Sequence, residues 1–98
     1  ADELRELDIE GNRVASLAPL ANKRHLRNVY CGENPLADLS VLASCPSLEV
    51  VECFGCPGLV GGLALAKLPA LVRLTSHGSL PASEIASLRA VRPDVDVD

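Results

Sequence analysis

Cys53-Phe54-Gly55-Cys56 is the stretch of this chain with the most obvious capacity for chemistry. A C-x-x-C can supply half of a zinc site or a redox-active dithiol. A closed zinc site needs four ligands, usually from a second C-x-x-C or a spaced histidine pair. The other candidates are Cys31, Cys45, His25 and His77, and they form no second knuckle. A thioredoxin-like pair should open a helix after a strand, whereas "CFGCPG" runs into Pro57-Gly58. Ser76, Ser79 and Ser83 lie near His77, but no carboxylate is placed in sequence to orient a His–Ser pair. "GLVGG" (58–62) lacks the lysine and the following helix of a phosphate loop. His77, beside Gly78, reads as an exposed turn residue and His25 as an ordinary surface one. No catalytic residue, metal ligand or cofactor site is expected, and the two cysteines call for a structural explanation.

The elements that position them must be thin. Of 98 residues, 48% are hydrophobic, yet the aromatics are one Tyr and one Phe, with no Met or Trp. Leu, Val, Ile and Ala must fill the core, which suits shallow layers better than one thick interior. The net charge of −4 and the lack of a basic run argue against a nucleic-acid partner held by phosphate contacts. No apolar stretch reaches the roughly 18 residues of a membrane span. Four cysteines permit three disulfide pairings. Nothing else marks a secreted chain, so reduced thiols and an intracellular setting are favoured. A single domain over 1–98 is expected. The opening "ADELRELDIEG" has no Met and already lies within a pattern, so the chain reads as a piece of a longer one.

That pattern is a repeat. "LRELDIEGNRV" begins at Leu4, "LRNVYCGENPL" at Leu26, "LEVVECFGCPGL" at Leu48 and "LVRLTSHGSL" at Leu71, so the starts are spaced by 22, 22 and 23 residues. One apolar column reads Leu4, Leu26, Leu48, Leu71. The next reads Leu7, Val29, Val51, Leu74, and a third Ile9, Cys31, Cys53, Ser76. Asn12, Asn34, Cys56 and Ser79 follow three residues later. The extra residue of the third unit is assigned to Pro57-Gly58, a turn pair that accepts insertion. Alternation in "ELDIE" and "NVYCG" has the period of half-buried strands, each too short to bury its apolar side alone.

The columns match L-x-x-L-x-L-x-x-N/C-x-L, and the chain resembles the leucine-rich repeat family over essentially its whole length. The spacing is similar to the internalin-type and phosphatase-regulator-type repeats. The resemblance implies an α/β fold of solenoid form. Short strands would stack into a curved parallel sheet on the concave side, with short helical turns, here "PLANKRH" (19–25) and "LASCPS" (42–47), on the convex side. It also implies that Asn12, Asn34 and Cys56 form a structural ladder. The chemistry fits, since a turn asparagine can bond backbone groups in both senses and a buried thiol is a compact weak donor. Cys31 and Cys53 then face inward, and the C-x-x-C is two repeat positions three apart. Cys45 matches Leu68 of the next unit and is expected to be partly buried and the most reactive thiol.

The fourth unit departs after Leu80. "PASEIASLRAVR" (81–92) carries Ile85, Leu88 and Val91 at helical spacing, with Ser83 and Glu84 near its start and Pro93 ending it. "DVDVD" (94–98) reads as a final strand, and 81–98 together as a C-terminal cap. No comparable cap precedes the first unit, so an exposed N-terminal edge strand and end-to-end association are expected there.

Outward columns read Asp8, Tyr30, Glu52, Thr75; Glu6, Asn28, Val50, Arg73; and Glu10, Gly32, Phe54, His77. Both aromatics lie on this face, with Val50 nearby and Glu6, Asp8, Glu10, Glu33 and Glu52 around them. Aromatics on an exposed patch are frequent anchors of protein recognition, although Tyr30 and Phe54 could also simply pack together across adjacent strands. The expected function is a non-catalytic interaction module that binds a protein with a basic segment through Asp8, Tyr30, Val50, Glu52, Phe54, Arg73 and His77. Two alternatives stay open: the recognition domain of a larger multidomain enzyme or effector, and a redox- or metal-responsive cysteine domain.

Overall fold

Strand length follows from where the backbone turns. In the computed structural model, which describes residues 3–98, four strands have three residues each: β1 (Glu6–Asp8), β2 (Asn28–Tyr30), β3 (Val50–Glu52) and β4 (Arg73–Thr75). Three residues after each of them the chain turns through a left-handed residue. These are Gly11, Glu33, Gly55 and Gly78, with φ of 71°, 55°, 68° and 86°. Glycine adopts this region without the Cβ clash that other residues meet. Ala1 and Asp2 lie outside the described residues.

With β5 (Asp96–Val97) these strands make one parallel sheet in the order β1-β2-β3-β4-β5. The register offset is 22 residues at the first two junctions and 23 at the next two. The first three junctions use the same backbone grammar. Arg27 and Asn28 N–H donate to the Arg5 carbonyl, Glu49 and Val50 to Arg27, and Val72 and Arg73 to Glu49. Beyond the strands, Ile9, Cys31, Cys53 and Ser76 N–H donate forward to Tyr30, Glu52, Thr75 and Asp98 carbonyls.

A second layer faces the sheet. The 3-10 helices Ala18–Leu20, Ser40–Ser44 and Gly62–Lys67 lie side by side, followed by α1 (Ala82–Val91). The core between the layers is almost wholly aliphatic: Leu26, Leu48 and Leu74 from the strand side meet Leu42, Leu65 and Leu88 from the other, all fully buried. Truncating one of these to Ala should cost about 2–5 kcal/mol in lost burial and residual cavity.

The second layer differs in detail from the sequence expectation. The 3-10 helices begin before the turns expected over 19–25 and 42–47, and each carries one buried leucine, Leu20 and Leu42, into the core. Gly62–Lys67, beginning at the last residue of "GLVGG" (58–62), is also a 3-10 helix. It starts from left-handed Gly61 (φ 88°) and is held by Glu84 and Arg92 of the cap. The extra residue does fall at Pro57-Gly58, since Leu36 and Leu59 are equivalent buried positions and Gly58 turns at φ 76°. In α1, Leu88 is buried and Ile85 partly so, but Val91 is 58% exposed and does not extend the apolar stripe. The next residue, Arg92, takes the inward place instead. The final strand is shorter than 94–98 because Asp94 turns back to pair with Arg92 at 2.9 Å, while Val95 and Val97 are both buried.

Candidate interaction face and the thiol ladder

The sheet has one face on the core and one on solvent, and residues of a strand alternate between them. Leu7, Val29, Val51, Leu74 and Val97 form the inward row. On either side of it stand two outward rows, Glu6–Asn28–Val50–Arg73–Asp96 and Asp8–Tyr30–Glu52–Thr75. Tyr30 thus lies between two carboxylates in register. Asp8, Glu33 and Glu52 also act on Glu10. Its carboxyl is pushed above the usual carboxylate range by partial desolvation and then by those three charges.

Phe54 stands one step further along. Its ring lies against Gly32, where a Cβ would come within 3.1 Å of Cε1 and 2.9 Å of the Phe54 carbonyl oxygen. The missing side chain at position 32 is what seats the phenyl ring. The ring's aromatic neighbour is His77, at a centroid distance of 6.1 Å and tilted by 54°. The expected alternative, Tyr30 packed on Phe54, is not the arrangement found. His77 Nδ1 lies 2.8 Å from Asp98 Oδ2, and Arg73 Nη2 lies 3.5 Å from Glu52 Oε2.

These side chains border an open hollow of about 790 Å³ at the β4–β5 end of the face. Glu52, Phe54, Arg73 and His77 of the sequence-selected residues line it, whereas Asp8, Tyr30 and Val50 lie outside it. Thr75, Arg89, Asp96, Val97 and Asp98 complete the lining. The alternation of "DVDVD" carried the signal for the two aspartates, because continuing the register sets Asp96 beside Arg73. Arg89 had no such signal. It reaches the sheet from α1 and donates from Nε and Nη2 to the Val97 carbonyl at 3.1 and 2.8 Å.

The ladder residues occupy the turns behind this face. Asn34 is buried and donates to the carbonyls of Ile9, Cys31 and Gly32 at 2.9–3.0 Å, while its Oδ1 accepts from Val14 N–H at 3.1 Å. It therefore ties one pass of the chain to the pass before. Cys56 repeats the backward reach, with Sγ 3.5 Å from the Cys31 carbonyl. The Ser79 hydroxyl in turn accepts from Cys56 N–H at 3.0 Å. Asn12 is exposed and, among the described residues, bonds only its own turn, to the Ile9 and Glu10 carbonyls.

All four cysteines are free thiols and all are buried. Burial, then the neighbouring Cys56 and Glu10, push the Cys31 thiol up to about 12. Cys53 is raised further, by burial and then by Cys31 and Cys56. Such thiols stay protonated at neutral pH, which opposes nucleophilic or metal-ligating use of the thiolate. Cys45 corrects the expectation made for it. It is fully buried rather than partly, with Sγ 3.2 Å from the Leu20 carbonyl, because the row of 3-10 helices closes over it. Among the described residues, no group of three or more His, Cys, Asp or Glu is arranged to hold a metal ion, and no helix is long and apolar enough to cross a membrane.

Comparison with known proteins adds no assignment: no family model matches the chain, and no curated protein matches it.

Proposed function

We propose that the chain is a leucine-rich-repeat solenoid serving as a non-catalytic interaction module. Its outward sheet face, concave in such a solenoid, binds a protein segment that carries basic residues and at least one apolar anchor. The observation that carries this reading is the Asp8–Tyr30–Glu52 row, an amphipathic ring held between carboxylates at strand spacing. Phe54, seated on Gly32, supplies a second aromatic surface, and the carboxylates that press on Glu10 favour a cationic neighbour. The phenyl ring is supported by backbone, so little side-chain freedom is lost on contact.

Selection of binders from a random displayed peptide library tests the proposal. Selected peptides should be rich in Lys or Arg with an aliphatic or aromatic residue, and binding should weaken as salt screens the face. The double variant Tyr30→Ala, Phe54→Ala should lose them while melting at an unchanged temperature. Peptides that bind this variant as well as the parent would show that the face is not the site.

A further inference from the structure

Arg73 is the one basic residue in the two outward rows of the sheet, which otherwise carry Glu6, Asp8, Glu52 and Asp96 as their charges. It stands among acids. The register sets Asp96 beside it, and its Nη2 lies 3.5 Å from Glu52 Oε2. A cation lodged there occupies the kind of place that a basic residue of a partner needs.

The three basic side chains around the hollow are not held alike. Arg89 gives two donors to the Val97 carbonyl, at 3.1 and 2.8 Å. His77 Nδ1 lies 2.8 Å from Asp98 Oδ2. Arg73 has the single long contact to Glu52, its only side-chain hydrogen bond among the described residues. Its side chain is 46% exposed and that of Glu52 28%. An exposed pair of this length contributes little and is easily given up.

Resting on the reading of this face as a site for basic segments, we infer that Arg73 is a built-in competitor for the partner's basic residue. It shares the Glu52 carboxylate in the free chain and yields it when a basic segment binds. Exchange of one cation for another on the same carboxylate leaves the number of charge pairs unchanged, so Glu52 adds little to affinity while Arg73 is present. The released guanidinium stays at β4 beside the bound segment and repels a further basic residue there. Basic residues of the segment are thereby directed toward Asp8 and Glu6, away from the hollow, so that Arg73 selects the placement of the partner.

The test is a double-mutant cycle of Arg73→Gln and Glu52→Gln, with binding of the synthetic peptide KKTFTKK measured by calorimetry at low ionic strength. Arg73→Gln should tighten binding by about two- to fivefold, the scale of one exposed charge pair. Glu52→Gln alone should change it by less than about twofold, but in the Arg73→Gln background it should weaken it by about two- to fivefold. Lys67→Gln makes the same change in net charge on the exposed side of the second layer and should leave binding as it was. Melting temperatures report that each variant is folded. Equal effects of Glu52→Gln in both backgrounds would overturn the inference, because the two side chains would then not compete. Unchanged or weaker binding by Arg73→Gln would overturn it too, as would an equal gain from Lys67→Gln. In those cases the interaction face itself survives. Binding of KKTFTKK to the Tyr30→Ala, Phe54→Ala variant as tight as to the parent would instead remove the face, and the competitor with it. Absence of binding to both the parent and Arg73→Gln would do the same.

Discussion

Glu84 and Arg92, eight positions apart in the C-terminal cap, hold opposite ends of the same 3-10 helix. The Glu84 carboxylate accepts from Gly61 and Leu63 N–H at 3.3 and 3.1 Å, at the start of Gly62–Lys67. Arg92 Nη1 donates to the Ala66 and Leu68 carbonyls, both at 2.8 Å, at its end. A short 3-10 helix leaves most of its terminal groups unpaired, and the charges match its dipole at each end.

Arg92→Ala should therefore destabilise the fold by about 2–3 kcal/mol, through two stranded carbonyls and a lost charged donor. Denaturant unfolding measures it. Arg92 also bonds Asp94, whose carboxyl is lowered first by that bond and then by its own backbone N–H. A folded-state value below the unfolded one means stability that is present above the ordinary carboxylate range and lost as pH falls through the lowered value. Asp94→Asn should flatten the acid side of the stability curve at pH 2–4, and an unchanged curve would show that the pair is not coupled to folding.

Asn34 and Asn12 occupy equivalent positions and should respond unequally. Asn34→Ala leaves Val14 N–H without its acceptor and takes one of two donors from each of the Ile9, Cys31 and Gly32 carbonyls, a loss of about 1–3 kcal/mol. Asn12→Ala removes two exposed bonds and should cost about 0.5 kcal/mol or less. Equal losses would mean that the link between passes is not where the stability lies.

The left-handed column sets up substitutions of opposite sign. Glu33 is its one non-glycine member, at φ 55°. Glu33→Gly should stabilise by up to about 1 kcal/mol, since relief of the Cβ clash outweighs the added freedom of the unfolded chain. Gly55→Ala should destabilise by 1 kcal/mol or more, because its new Cβ would also meet Glu33 Cγ at 3.0 Å. Paired melting curves check both signs.

The thiols give an alkaline signature. With Cys31 raised to about 12 and Cys53 higher still, folding holds protons that the unfolded chain releases near its ordinary thiol value of about 8.5. Stability is then fully present below that value and declines as pH rises toward the folded one. The slope is up to ~1.4 kcal/mol per pH unit for each thiol. A Cys31→Ser, Cys53→Ser pair should lose that slope even if it is less stable throughout. An aromatic disulfide reagent should titrate all four cysteines only after unfolding, Cys45 included.

Strand positions and register were legible in the sequence because they follow the one-dimensional phase of Leu4, Leu26, Leu48 and Leu71. The turn at Pro57-Gly58 was legible because glycine and proline mark local geometry. What escaped was anything set by a contact between distant passes. The full burial of Cys45 depends on a neighbouring helix, and the exposure of Val91 depends on Arg92 taking the inward place. The hollow lined by Arg89, Asp96 and Asp98 needs a helix and a strand from separate parts of the cap. Repeat phase tells which positions are alike, but it does not tell which of them a cap will cover.

The single additional residue at Pro57-Gly58 lengthens one pass while the hydrogen bonds on both sides keep their partners, and both residues are exposed. Length is thus uncoupled from alignment at that corner. It is the natural place to graft an epitope, a reporter peptide or a longer recognition loop without disturbing the wall of leucines behind it.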